Sequence, residues 1–245
     1  MNYCPLNINT CYSFLSSALK IDDIFEMSNA YGYSYFGVND VNSMFCYSDI
    51  VKLSQNYKSA PIYGSSFFVI LENNLSLKVS AYIVNDTGYS NLCQIISNYS
   101  DGITLDNLTK HKDGLIIVIH TISNLHILQL IDEEKLETIS RSLDLLTNGF
   151  DDYYLGVEIY SEQDKKYAQK IRDFASIHLY KTIAFNLHLY KTKQDAITLK
   201  ILQAIKNDEK LDKKTAEGSY FFLKESILKA LYTNEEINNT NIVCI

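Results

Sequence analysis

Two hydrophobic rhythms alternate along this chain: stripes of period near 3.6, as on one face of a helix, and short unbroken apolar runs, as in buried strands. Ile21, Ile24, Phe25, Ser28 and Tyr31 share one side of a helix over 19–31, and Gly32 stands where a left-handed stop is wanted. A strand at Tyr35–Val38, a helix over 45–57 and a strand at Ile62–Val69 follow. Leu77–Val84 reads as the next strand, and Asp86 as the N-cap of a helix with Tyr89, Leu92, Ile95 and Ile96 on one side. Leu115–Ile119 is a fully apolar run. Helical patterns over 122–131 and 133–146 then lead through the turn signal Asn148-Gly149 to a strand at Tyr153–Ile159. Ser161 with Asp164 forms a capping-box pattern ahead of the stripe Tyr167, Ile171, Phe174 and Ala175. Residues 181–185 are again strand-like, 193–206 helical, 207–214 a charged break, and Leu223–Tyr232 helical.

Repeated strand–helix units predict an α/β fold around a mostly parallel sheet, either a closed barrel or a doubly wound sheet. No repeat or low-complexity linker divides the chain. The expected organisation is one domain over 1–208, with 209–245 as an extension whose packing the pattern does not specify.

The chain has 245 residues, 47% of them hydrophobic, enough for one sizeable core. The run Leu115–Ile119 is far too short to span a bilayer, and Met1–Pro5 has no basic segment leading into an apolar one, so a cytoplasmic protein without membrane association is expected. Cys4, Cys11, Cys46, Cys93 and Cys244 are scattered, odd in number and without a Cys-x-x-Cys pair, which predicts reduced thiols rather than a disulfide framework or zinc knuckle. A net charge of -7 argues against a broad phosphate-tracking surface, so contact with DNA is expected to be indirect.

Candidate chemistry enters through a series of short matches. They are Tyr12-Ser13-Phe14-Leu15 with Ala18–Asp23, Val38-Asn39-Asp40-Val41-Asn42-Ser43-Met44-Phe45, Pro61-Ile62-Tyr63-Gly64 and Asn85–Leu92, with weaker ones at Asp113–Ile116 and Ala184-Phe185-Asn186. In this order and spacing the chain resembles the PHP (polymerase and histidinol phosphatase) domain of bacterial DNA polymerase III alpha subunits. The resemblance implies a distorted, TIM-like (β/α)7 barrel. In members with an intact site it also implies nine side chains holding divalent ions at the C-terminal mouth of the strands.

Carried over residue by residue, those nine positions fall on Asn7, Asn9, Ser16, Val41, Ser66, Lys78, Thr121, Leu187 and Leu189. None is a histidine, a cysteine or an acid. A neutral carboxamide is a poor substitute for imidazole as a metal ligand. A lysine ammonium ~4 Å from a divalent ion, at an effective dielectric of about 20, opposes it by roughly 8 kcal/mol. A one-residue slip at Lys78 or Thr121 would bring His120 or His188 nearer the cleft, but one imidazole does not replace a cage.

Each candidate also has a plainer reading. Asn7 and Asn9 read as hydrogen-bonded relics, Lys78 as a stand-in cation or a solvent-directed lysine, and His120 and His188 as structural histidines with no sign of a triad. Asp22 and Asp23 read as acids of a helix's first turn, and Cys11 as inert. Tyr220-Phe221-Phe222 reads as a buried or interface anchor.

The resulting expectation is a catalytically inactive, metal-free PHP domain, with no cofactor and no catalytic residue. It serves as a platform for the rest of a DNA-directed DNA polymerase, whose carboxylates lie beyond residue 245, and for a proofreading exonuclease. The alternative is a metal-dependent phosphoesterase or 3′–5′ exonuclease with a rearranged site built on Asp40, His120 and His188. A third is a DNA-binding module. The break at Asn241–Ile245, mid-pattern for the family, leads to the expectation of a fragment.

Overall fold

The computed structural model describes residues 3–71, 75–98, 102–211 and 219–244. Its first half runs β1 (Asn7–Ile8), α1 (Ile21–Tyr31), β2 (Tyr35–Val41), α2 (Tyr47–Ser54), β3 (Ala60–Ile70), β4 (Ser76–Ile83) and α3 (Asp86–Ser97). Next come β5 (Ile103–Thr104), α4 (Leu105–Lys110), β6 (Leu115–His120), α5 (Leu125–Asp132), α6 (Leu136–Thr147) and β7 (Tyr153–Val157). The last part holds α7 (Glu162–His178), β8 (Thr182–Ala184), β9 (Leu187–His188), α8 (Ala196–Asn207), α9 (Glu225–Leu231) and α10 (Asn234–Ile242).

The strands form one sheet in the order β8-β7-β6-β4-β3-β2-β1-β9, with β5 attached to β3. Neighbours are parallel except at β4, which runs antiparallel to both β3 and β6. The two edge strands are halves of one run of chain. β8 pairs with β7 (Leu155↔Thr182) and β9 pairs with β1 (Asn7↔Leu187), with only Phe185 and Asn186 between them. The sheet therefore curls until its ends share a single segment. Six strands (β1, β2, β3, β4, β6 and β7) and this split seventh give a distorted, TIM-like (β/α)7 barrel rather than a doubly wound sheet.

Side-chain alternation sorts the strands into two faces. Leu115, Ile117 and Ile119 of β6, Leu77, Val79 and Ala81 of β4, and Leu155 and Val157 of β7 join the large cluster that also holds the helix residues Ile24, Phe25, Ile50 and Leu92. This is the barrel's outer face under its helices. The intervening residues Ile116, Val118, Tyr82, Tyr154, Ile183 and Phe185 pack with Cys4, Leu6 and Val243 in a second cluster that fills the lumen. Glycines make room for two of its three rings. A Cβ on Gly64 would meet the Tyr82 ring at 2.6 Å, and one on Gly156 the Phe185 ring at 2.7 Å.

Local signals mostly hold, with instructive shifts. Gly32 ends α1 at φ 71, and Ser161 with Asp164 makes the reciprocal capping box of α7. The cap of α3 is Asn85, not Asp86: Asn85 Oδ1 accepts from Gly88 N at 3.0 Å, leaving Asp86 in the first turn. The charged break lies partly outside the described residues, which omit 212–218. Beyond it, the C-terminal segment is seated on the barrel. Asn239 Nδ2 donates to Thr182 O (2.8 Å), Cys4 N donates to Thr240 Oγ1 (3.0 Å), and Arg172 forks onto buried Glu236 through Nε (2.7 Å) and Nη2 (2.8 Å). No helix of the described residues is long and apolar enough to cross a membrane.

Candidate functional site

The same alternation that fills the lower lumen with rings places a polar layer above it. Continuing the inner face past Tyr82 on β4 gives Ser80 and Lys78, past Val118 on β6 gives His120, and past Tyr154 on β7 gives Gly156 and then Glu158. On β2, where Phe36 and Val38 face outward, the inner positions are Asn39 and Val41. Asn7 of β1 meets them from the next strand.

Asn7, Asn39, Ser80, His120 and Glu158 form one hydrogen-bonded chain, and all five are buried. Asn39 Nδ2 donates to Asn7 Oδ1 (2.9 Å) and to Ser80 Oγ (2.7 Å). Ser80 Oγ lies 2.8 Å from His120 Nε2, and His120 Nδ1 lies 3.2 Å from Glu158 Oε1. Glu158 also accepts from Thr121 N and Ser123 N (both 3.0 Å), Ser123 Oγ (2.8 Å) and Tyr160 OH (2.9 Å).

The carboxylate sets the direction of every proton in this chain. Burial alone would push Glu158 up, but the imidazole, the Ser123 N–H and the Lys78 ammonium outweigh it and hold its pKa down at about 2. Burial, reinforced by the Lys78 charge, lowers His120 to about 4, so at neutral pH the pair is an ionised carboxylate beside a neutral imidazole. Nδ1 then carries the proton toward Glu158, and Nε2 is left as an acceptor. Ser80 must donate to Nε2, which requires Asn39 to present its N–H to Ser80. Lys78 is itself lowered by burial and supported in its charged form by Glu158.

This arrangement was not expected from the sequence, which showed no triad. The signals were the inner-face parity of Ser80 and the single acid, Glu158, in the otherwise apolar stretch Tyr153–Ile159. Serine, histidine and carboxylate stand in the order that activates a hydroxyl nucleophile. All three are sealed from solvent, so a packed structural network is what the geometry supports.

The remaining sequence candidates scatter. Asn9 donates from Nδ2 to Ser13 Oγ (3.2 Å), and Ser66, in register with Val41, donates to Asn39 O (3.4 Å). Ser16 lies in the loop after β1, where its hydroxyl reaches Phe14 O (3.2 Å) and receives Lys206 Nζ (3.0 Å). Thr121 donates to Gly156 O (2.6 Å); His120, one residue earlier, is the inner-face residue of this strand. Leu187 is half-buried beside Asn7, and Leu189 packs with Tyr190 and Leu199. The alternative set does not converge. Asp40 faces outward, accepting from Thr10 N (2.6 Å), Thr10 Oγ1 (2.6 Å) and Ser13 Oγ (2.7 Å). His188 also faces outward, with Nδ1 3.4 Å from Asn7 O and its ring 4.9 Å from that of Phe222.

Residues 5–162 match the family model of the PHP domain. The chain belongs to this family. Among its relatives, DNA polymerase III subunit alpha of Staphylococcus aureus is 24% identical over 240 residues, covering 94% of this chain and 19% of that protein. The same subunit of Streptococcus pyogenes is 24% identical over 203 residues, covering 78% and 18%. The chain thus spans about a fifth of the length of these relatives. A crystal structure of a proposed metal-dependent phosphoesterase from Bifidobacterium adolescentis shares the fold with TM-score 0.51 at 9% identity, covering 93% of this chain and 94% of that one.

The residues at this PHP domain's mouth do not suit the divalent ions that an intact site would hold. Among the described residues no three His, Cys, Asp or Glu side chains converge as a metal-binding group. The inner face offers amides, hydroxyls, one ammonium and one imidazole whose two nitrogens are engaged by Ser80 and Glu158, and its single carboxylate already has both oxygens engaged by protein donors.

Proposed function

We propose that this chain is the PHP domain of a replicative DNA polymerase III alpha subunit, and that it serves as a metal-free, non-catalytic platform for the rest of that protein. The observation that carries the reading is the polar layer of the lumen. Asn7, Asn39, Ser80, His120 and Glu158 bond to one another where phosphoesterase chemistry would need open ligands. The relatives support the parentage, since both are alpha subunits matched over most of this chain.

A platform needs a surface. α8 exposes Ile197, Ile201 and Ile205 at successive four-residue steps, and Phe14 and Phe45 stand exposed on the loops after β1 and β2. These are the residues offered to the polymerase body and to a proofreading exonuclease, in the cytoplasm. DNA is met through those partners, in keeping with the net charge of -7.

The test has two arms. Purified protein is assayed for bound zinc and manganese by mass spectrometry, and for manganese-dependent hydrolysis of a phosphodiester and of a 3′-labelled primer. Substoichiometric metal and no turnover are expected. Stoichiometric metal with turnover would establish the phosphoesterase reading instead. In the second arm, Ile201→Glu with Ile205→Glu should weaken association with the remainder of the parent polypeptide supplied in trans.

A further inference from the structure

We infer that Lys78 is the resident cation of the barrel mouth, and that its fixed charge bars divalent metal even where ligands are available. The inference deepens the metal-free reading above and rests on it. It assigns the exclusion to one residue rather than to missing ligands alone.

Three observations place the residue at the mouth, and its charge is felt there by Glu158 and His120. Leu77 and Val79 belong to the outer cluster, so Lys78 between them faces the lumen. The pairing Val79↔Ile119, continued by one residue, brings Lys78 level with His120 across the antiparallel β4–β6 ladder. Asn124, just after β6, grips the backbone of Lys78 on both sides. It accepts from Lys78 N at 2.7 Å through Oδ1 and donates to Lys78 O at 3.1 Å through Nδ2, while also donating to His120 O. The residue is therefore stapled to the end of β6 and cannot leave the mouth by local fraying.

Charge balance gives the staple its meaning. The polar layer contains a single carboxylate, Glu158, ionised and enclosed by donors, with neutral Asn7, Asn39, Ser80 and His120 around it. One ammonium above one carboxylate closes the account. A divalent ion entering this layer would meet an already compensated carboxylate and a like charge whose backbone is held at the mouth.

Putting ligands back tests this directly. The triple substitution Asn7→His, Asn9→His and Ser66→Glu restores two imidazoles and a carboxylate at the mouth. Made in the native background it should still bind zinc and manganese poorly by titration calorimetry. With Lys78→Met added, affinity should rise at least about a hundredfold, and with Lys78→Arg it should not. Equal affinity with and without Lys78 would overturn the inference while leaving the metal-free reading intact. Stoichiometric metal on the unaltered protein would instead overturn that reading.

Should the multiple variants fail to fold, the single variant Lys78→Met still decides. Proton NMR should show the His120 titration moving upward once the neighbouring ammonium is gone. An unmoved titration would place Lys78 outside the layer and sink the proposal.

Discussion

The lower and upper halves of this barrel's lumen are built on the same strands and by the same alternation, yet they are held by opposite physics. Below, Tyr82, Phe185, Ile116, Val118, Ile183 and Val243 interlock as an apolar plug, with Gly64 and Gly156 leaving space for the rings. Above, further along the inner face, Asn7, Asn39, Ser80, His120 and Glu158 bond to one another through directed hydrogen bonds, with Asn7 Nδ2 and Asn39 Oδ1 left without a partner among the described residues. Burial stabilises the plug without regard to direction. The polar layer gains little net energy per bond but loses heavily if any member is left without its partner. The lower lumen should therefore set how stable the barrel is, and the upper lumen how uniquely and under which conditions it closes.

The largest effect should come from the plug. Phe185 is fully buried, with its ring 6.5 Å from that of Tyr82 and 5.0 Å from that of His120, and it sits in the segment joining β8 to β9. Phe185→Ala should cost about 4 kcal/mol in urea denaturation. A loss below about 1 kcal/mol would mean that the lumen is loosely filled and the comparison wrong.

Next is the layer's anchor. Glu158→Gln keeps the shape but replaces an all-acceptor group with one that brings its own N–H donors, and it leaves Lys78 without a counter-charge. A loss of about 3 kcal/mol is expected in the same assay. Glu158→Leu should cost as much or more, because the N–H groups of Thr121 and Ser123 would then be buried with no acceptor.

Acid should separate the halves without any substitution. His120 and His188 both have folded pKa values of about 4 against an ordinary 6.5, chiefly through burial. A base depressed on folding binds more protons when unfolded. Its contribution is therefore complete above pH 6.5 and is lost as the pH falls toward 4. Between pH 7.5 and 5 each should remove about 2 kcal/mol of stability. Glu158, lowered to about 2 from 4.5, adds its loss only below about pH 4.5. His188→Gln should halve the dependence between pH 7.5 and 5, since His188 lies on the outer face against Phe222 and His120 in the lumen. An unchanged slope would show that only the lumen histidine titrates.

This division also explains what could be read from the chain. The plug and outer core were legible because apolar runs such as Leu115–Ile119 advertise buried strands, and Gly32 and Ser161–Asp164 mark helix ends by local chemistry. α4 escaped because six residues give too little periodicity, and α10 because Asn and Glu dominate it. The polar layer escaped for a different reason. Ser80, His120 and Glu158 are about forty residues apart in sequence, and only strand order and face parity bring them together. The outward turn of Asp40 and His188 follows from that same parity, which motif matching does not weigh. Asn85 took the cap from Asp86 because the side chain that reaches Gly88 N must start one residue before the helix.

The smallest expected effect is the most specific. Ser80→Ala removes one hydroxyl from the middle of the upper chain, leaving His120 Nε2 without its donor and Asn39 Nδ2 with Asn7 as its remaining acceptor. The cost should be about 1 kcal/mol, because Asn39 keeps one of its two bonds and only the imidazole lone pair is stranded. The tautomer should not change, since the Nδ1 proton is fixed by Glu158 rather than by Ser80. Nitrogen NMR of the imidazole reads this separately from stability, and the Nδ1–H form should persist in the variant. If Ser80→Ala instead shifted the proton to Nε2, the direction of the whole chain would originate at Asn39 and not at the carboxylate, and the polar layer would be organised from the opposite end.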